Sequence, residues 1–324
     1  MSRSANLSAC PAGVTVVDMR ELVDSTAVQA DQAGLWRRLA DDGYLFFRRL
    51  LRPADVQAAY ESVHAELSLG GWTDGDGHPA SPRRALQFRD ALADPSFRAA
   101  LASRALNRLA YRPPLRGVIR LILGAGAFSY PVKVLRVVYP EARGAVTRGR
   151  YVHQDFATSG VQDMLTTWLP LMDIPAQLGG LAVLPGSHLG PPLSPWLLPA
   201  NELGWATTDY QPGDVLVFHC LTAHAALPNH ADRLRISADF RWQAADQPAP
   251  AELVLGPVAA AARRGGQVEL YSRLLGAEPW WEPVPSGLML RPRAELVALP
   301  PAPSRLFTVH RRWQRWQAPA APVH

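Results

Sequence analysis

The chain has 324 residues, 48% of them apolar, and a formal net charge of +5, so it can bury a sizeable core while carrying too weak a field for a dedicated nucleic-acid binder. Its 30 prolines and 24 glycines exclude a helical bundle or coiled coil, and two cysteines, Cys10 and Cys220, exclude a disulfide framework or a cysteine-rich zinc site. The basic residues are almost all arginine, with Lys133 the sole lysine. Residues 1–20 lack the charged start and apolar run of a signal peptide, and the most apolar stretch, 118–128, is broken by Arg120, Gly124 and Gly126. A cytoplasmic protein with no membrane and no nucleic-acid partner is the expectation.

In chain order, residues 31–42 read as a helix, with Leu35, Trp36 and Leu39 as its apolar stripe and Gly43 as its stop. A short strand follows at 44–47. Leu51 to Asp55 form a turn that opens a second helix carrying Val56, Ala59, Tyr60, Val63 and Leu67. Residues 70–84 read as a loop. Residues 95–109 and 115–123 are expected to be two helices, separated by Pro113-Pro114. From residue 128 the texture changes to short strands, at 132–139, 151–156, 164–173, 180–184, 214–219 and 233–242. Proline and glycine turns divide them, as at Pro185-Gly186 and Pro212-Gly213. A helical first third followed by dense short strands points to a sandwich or barrel backed by helices.

The nine histidines can be weighed one by one. In a strand, positions i and i+2 share a face, so His153 and Asp155 would present an imidazole beside a carboxylate. A second group, His219, His224 and His230, follows the strand at 214–219. Two histidines and one carboxylate with open positions form the facial triad of non-heme Fe(II) oxygenases. Arg235 lies eleven residues after His224. Its planar fork suits the distal carboxylate of a 2-oxoglutarate co-substrate. If the strand begins near Arg233, Ser237 shares the face of Arg235 and offers a further hydrogen bond. No Gly-x-Ser-x-Gly elbow, P-loop or dinucleotide fingerprint is present, since Gly124-Ala125-Gly126 lacks the third glycine. Cysteine nucleophilic catalysis has no support either.

Five strings in order carry a resemblance: DDGYLFFRRLL at Asp41–Leu51, HQD at His153–Asp155, GGLAVLPGSH at Gly179–His188, GDVLVFHCLTAHAALPN at Gly213–Asn229 and RLRIS at Arg233–Ser237. Together they make the chain resemble the phytanoyl-CoA dioxygenase family of Fe(II)/2-oxoglutarate-dependent oxygenases over roughly residues 35–245. The resemblance implies a mainly β, α+β fold: a double-stranded β-helix (jelly-roll, cupin-like) core flanked by N-terminal helices. The whole chain would be one catalytic domain, with helical support over 1–127, the core over 128–245 and a C-terminal extension over 246–324. By motif position it implies His153, Asp155 and His224 as iron ligands and Arg235 as the co-substrate anchor. Trp168 matches a position that lines the co-substrate pocket, and Arg136, on the preceding strand, one that contacts co-substrate or substrate.

The implied cofactors are Fe(II), 2-oxoglutarate and O2. The implied activity is hydroxylation of a small-molecule natural product in bacterial secondary metabolism. Desaturation, epoxidation or cyclisation share the same oxidation; an acyl-CoA or amino-acid substrate and a non-catalytic ligand-binding jelly roll are the alternatives. Asp155 itself argues against halogenation, for which a small residue replaces the carboxylate.

Several residues have more ordinary readings. His219 sits sixteen residues before Arg235, a poorer spacing, and reads as a buried or supporting histidine. His188 and His230 read as turn architecture, and Gln154 as structural. Arg136 on an edge facing solvent is as ordinary a reading as a ligand contact. Trp280-Trp281 and the basic–aromatic run Arg311–Trp316 read as C-terminal packing.

Overall fold

The structure is a computed structural model that describes residues 19–80, 91–131, 133–141, 152–190, 204–254, 285, 287–298, 304 and 306. Its elements begin with β1 (Arg20–Glu21), α1 (Gln32–Asp42), β2 (Tyr44–Phe47) and α2 (Pro53–Leu69), and continue with α3 (Pro95–Leu101), α4 (Arg104–Leu109) and α5 (Pro113–Leu123). Then come β3 (Phe128–Ser129), β4 (Val134–Val138), α6 (Phe156–Ser159), β5 (Leu165–Pro170), β6 (Leu181–Val183) and β7 (Ala206–Thr207). The rest are β8 (Val215–His219), β9 (His224–Ala226), β10 (Arg235–Gln243), β11 (Ala249–Pro250), α7 (Ala251–Val254), β12 (Leu290–Arg291) and α8 (Arg293–Ala298).

Two sheets face each other. The larger runs β2-β8-β5-β10-β3, with β4 also paired to β10, and the smaller runs β1-β7-β6-β9. All the pairings of the larger sheet are antiparallel. The period-2 rule for strands sorts its side chains into two layers. Leu45 and Phe47 of β2, Val215 and Val217 of β8, and Ile236, Ala238, Phe240 and Trp242 of β10 pack on the helices. Tyr44, Phe46, Trp168, Leu216 and Phe218 turn inward, onto Leu181, Val183 and Ala206 of the smaller sheet. The helices thus cover the outer face of the larger sheet. The space between the sheets is left for the odd-numbered residues of β10, among them Arg235 and Ser237.

Local chemistry explains the helix ends. Asp31 caps α1, its carboxylate accepting the Ala33 N–H, and Gly43 at φ +80° ends it in the left-handed conformation. Asp94 accepts the N–H groups of Ser96 and Phe97 at the start of α3. The single helix expected over 95–109 is in fact two. Ser103 adopts a non-helical ψ of 125° and restarts the chain, its hydroxyl accepting the Leu106 N–H. Pro113-Pro114 does not precede the next helix but opens it, because proline at the first helical positions loses no hydrogen bond there.

A third expectation fails more consequentially. Within 151–156 there is no regular strand among the described residues. His153 makes an isolated antiparallel bridge with His224, and Asp155 adopts helical angles (φ −64°, ψ −21°) at the N-terminus of α6. Conversely, β9, β7, β3 and α6 are too short to show periodicity. Trp280-Trp281, Arg311–Trp316 and Cys10 lie outside the described residues. No helix among the described residues is long and apolar enough to cross a membrane.

Candidate metal and co-substrate site

His153 and His224 come together because their main chains form the bridge: each N–H donates to the other's carbonyl, at 3.1 and 3.0 Å. Their rings lie 4.2 Å apart, centroid to centroid, and Phe218 packs 4.5 Å from the His224 ring. Asp155 reaches the same point from the turn into α6. One ligand atom from each of His153, Asp155 and His224 lies within 4.8 Å of the others, the one such cluster among the described residues. Asp155 Oδ1 is 3.9 Å from His153 Nε2 and 4.0 Å from His224 Nε2. The side chain of His153 is 27% exposed and that of Asp155 only 2%, so the cluster opens to the outside past His153.

The protonation states suit a cation. His224 Nδ1 lies 3.0 Å from the Thr222 carbonyl, which can only accept, so Nδ1 carries the hydrogen and Nε2 keeps its lone pair toward the cluster. Burial, and then the neighbouring His153, push the His224 pKa down to about 4, so the ring is neutral at pH 7. Burial alone would raise the Asp155 carboxyl. The charges of Arg241, His224 and His153 and the Thr166 hydrogen bond outweigh it and hold Asp155 well below the usual carboxylate range. Two imidazoles and one carboxylate within reach of a single point form a donor set that fits a divalent iron.

Arg235 is 1% exposed. Its Nη1 donates to the carbonyls of Gly179 and Gly180, at 2.6 and 3.2 Å, while Nε and the adjacent Ser237 hydroxyl are buried with no hydrogen-bond partner. Burial, and then Arg136, push the Arg235 pKa down to about 10, so it stays charged at neutral pH. Among the described residues no carboxylate pairs with it. Asp239 offsets its charge only from beyond ion-pair distance, and an unpartnered Nε beside an unpartnered hydroxyl fits a ligand carboxylate.

Trp168 is buried and meets the Tyr210 ring edge-on at 4.7 Å. Arg136 is the cross-strand partner of Ser237, but Nε and Nη2 both donate to Asp239 Oδ2, at 2.9 and 2.7 Å. His219 is fully buried, its Nδ1 accepting the Leu221 N–H and its Nε2 3.5 Å from Asp163. His188 bonds the Ala40 carbonyl through Nε2, and Gln154 donates to the Leu221 carbonyl. Lys133 is buried on the helix side, donating to Ser129 Oγ and the Tyr130 carbonyl with its ammonium over the Tyr111 and Phe240 rings.

Two residues at the cluster were not singled out from sequence, Thr166 and Arg241, both on the Asp155 carboxylate. The one available signal was parity: Arg241 lies six residues beyond Arg235 and so on the same face of β10.

The family model described as phytanoyl-CoA dioxygenase (PhyH) matches residues 39–237. A curated relative, 1-deoxypentalenic acid 11-beta-hydroxylase of Streptomyces exfoliatus, is 29% identical over 258 residues, covering 70% of this chain and 86% of the relative. Two solved structures share the fold. One is EctD from S. alaskensis with 2-oxoglutarate and 5-hydroxyectoine, with TM-score 0.51 and 21% identity over 87% of this chain and 94% of that one. The other is the non-heme alpha ketoglutarate dependent epimerase SnoN from nogalamycin biosynthesis, with TM-score 0.50 and 22% identity over 67% of this chain and 84% of that one.

Proposed function

The chain belongs to the phytanoyl-CoA dioxygenase (PhyH) family, and from that premise we propose that it hydroxylates a small-molecule natural product at the site formed by His153, Asp155, His224 and Arg235. It is an Fe(II)/2-oxoglutarate-dependent oxygenase. The substrate class follows the Streptomyces relative, whose name states hydroxylation of 1-deoxypentalenic acid.

In this reading His153 Nε2, His224 Nε2 and Asp155 Oδ1 hold Fe(II), and Arg235 with Ser237 holds the far carboxylate of 2-oxoglutarate. Bound there, iron with 2-oxoglutarate and O2 supplies the oxidation, as the co-substrate is decarboxylated to succinate and one oxygen atom is delivered to a C–H bond. The protein's own part is positioning. Arg235 gains in the co-substrate the anion that its burial calls for, and Ser237 donates its hydroxyl beside it. Trp168, Tyr210 and Phe218 keep water from the inner wall. Arg136 is held by Asp239, so its role is to balance that carboxylate beside the anchor rather than to bind co-substrate directly.

The observation that carries this reading is the pairing of a three-ligand cluster with a buried arginine whose Nε has no hydrogen-bond partner. Succinate release with Fe(II), ascorbate and 2-oxoglutarate tests it. Wild type should turn over the co-substrate and His153→Ala should not. Equal release by both would remove the catalytic assignment. A substrate screen read by gain of one oxygen atom would then test the natural-product class.

A further inference from the structure

Asp155 sits at the first turn of a four-residue helix, where its side chain makes no capping hydrogen bond. Nothing in its own segment therefore orients the carboxylate. What does is a pair on the larger sheet. Thr166 of β5 and Arg241 of β10 are directly opposed across the strands and share the inward face. Thr166 Oγ1 donates to Asp155 Oδ2 at 2.6 Å, and Arg241 Nη2 donates to Oδ1 at 3.3 Å. Oδ1 is the oxygen that faces His153 Nε2 and His224 Nε2.

We propose that Thr166 and Arg241 are positioning residues that make Asp155 a one-oxygen ligand, Thr166 by occupying Oδ2 and Arg241 by sharing Oδ1 with the cation. The proposal rests on the iron assignment made above. Its chemical ground is coordination number. A carboxylate can offer a divalent cation one oxygen or two, and the extra oxygen takes one of the open positions that a chelating co-substrate and O2 need between them. A short hydroxyl bond to Oδ2 holds that oxygen back. Arg241 acts differently: a positive charge beside the donor oxygen repels the metal ion, so this cross-strand pair trades some metal affinity for open coordination positions.

This predicts that metal and co-substrate affinities separate, which simple structural damage would not produce. Co(II) is the probe, titrated anaerobically into the full chain and followed by its visible absorption, with 2-oxoglutarate then added. Thr166→Val should leave Co(II) affinity within about threefold of wild type yet weaken 2-oxoglutarate binding by about tenfold, and Thr166→Ser should restore it. Arg241→Met keeps the length of the side chain without its charge and should tighten Co(II) by about tenfold at low salt while weakening 2-oxoglutarate. If Thr166→Val lowers yield, Thr166→Ala gives the same readout. Unchanged co-substrate affinity in these variants, or loss of Co(II) and co-substrate together, would overturn the proposal. His153→Ala separates the two levels. If wild type and His153→Ala bind Co(II) alike, the metal assignment itself fails. If wild type binds Co(II), His153→Ala does not, and the threonine and arginine variants match wild type for both metal and co-substrate, only the positioning role fails.

Discussion

Single side chains here show how burial and charge assign roles. Arg235 and Lys133 are both buried cations without a carboxylate partner among the described residues, yet they answer burial differently. Arginine keeps its proton, so Arg235 needs an anion. Lysine can give its proton up. Burial pushes the Lys133 pKa from 10.5 down to about 7. Below pH 7 the amine is charged folded and unfolded, and the full cost of burying it is present; above 10.5 it is neutral in both states and the cost is gone. Between these values the unfolded chain binds the proton and the folded one does not, so stability rises with pH across the window. The rise amounts to roughly 5 kcal/mol over the whole window. Lys133→Met should therefore flatten the dependence of unfolding free energy on pH between 7 and 10.5, measured by urea denaturation beside wild type. An unaltered slope would mean that Lys133 is not the group titrating.

At the level of elements, the anchor for Arg235 depends on the turn before β6. Gly179 has φ +72°, and a β-carbon there would run into the Pro228 carbonyl. Its own carbonyl and that of Gly180 receive Arg235 Nη1. Gly179→Ala should thus cost at least about 2 kcal/mol of stability through backbone strain and overlap. It should also raise the KM for 2-oxoglutarate while leaving metal affinity near wild type, because the displaced carbonyls seat the anchor and not the ligands. A lowered melting temperature with unchanged KM would show that the turn supports the fold alone. The C-terminal segment meets the site through an element as well. α8 packs on α6, directly after Asp155, with Leu296 buried beside Phe156 and Arg293 donating to the Ala157 carbonyl. Residues beyond the family match therefore brace the turn that carries the carboxylate.

For the molecule as a whole, the three ligands come from two places that do not touch in sequence: a bridge and turn at 153–155 and the start of β9 at 224. Metal binding should tie them together. At a free metal concentration 100 times the dissociation constant, the folded state gains about 2.7 kcal/mol. A chain of this size should then melt about 5 °C higher with Co(II) than with a chelator. His153→Ala should melt at one temperature in both conditions. The helical layer lies on the far side of the larger sheet from the ligands, so substitutions among its buried apolar residues should act on melting temperature rather than on this difference.

Much of this was legible in the chain. The order of motifs indicated the family, and period 2 along β10 placed Arg235 and Ser237 on one face, because a strand's alternation is a local property of the backbone. The same rule misled at His153 and Asp155, whose closeness comes from a bridge and a helical turn. It was silent on β9, which has too few residues to carry a pattern. The break at Ser103 went unread because one capping hydroxyl outweighs an apolar stripe that continues past it. The sequence by itself determined the family, the shared face of Arg235 and Ser237 and the two-layer division of the strands. Only the tertiary structure decided that Thr166 and Arg241 meet on one carboxylate, because that contact depends on the register between β5 and β10 and on where a turn delivers Asp155, neither of which a local pattern encodes.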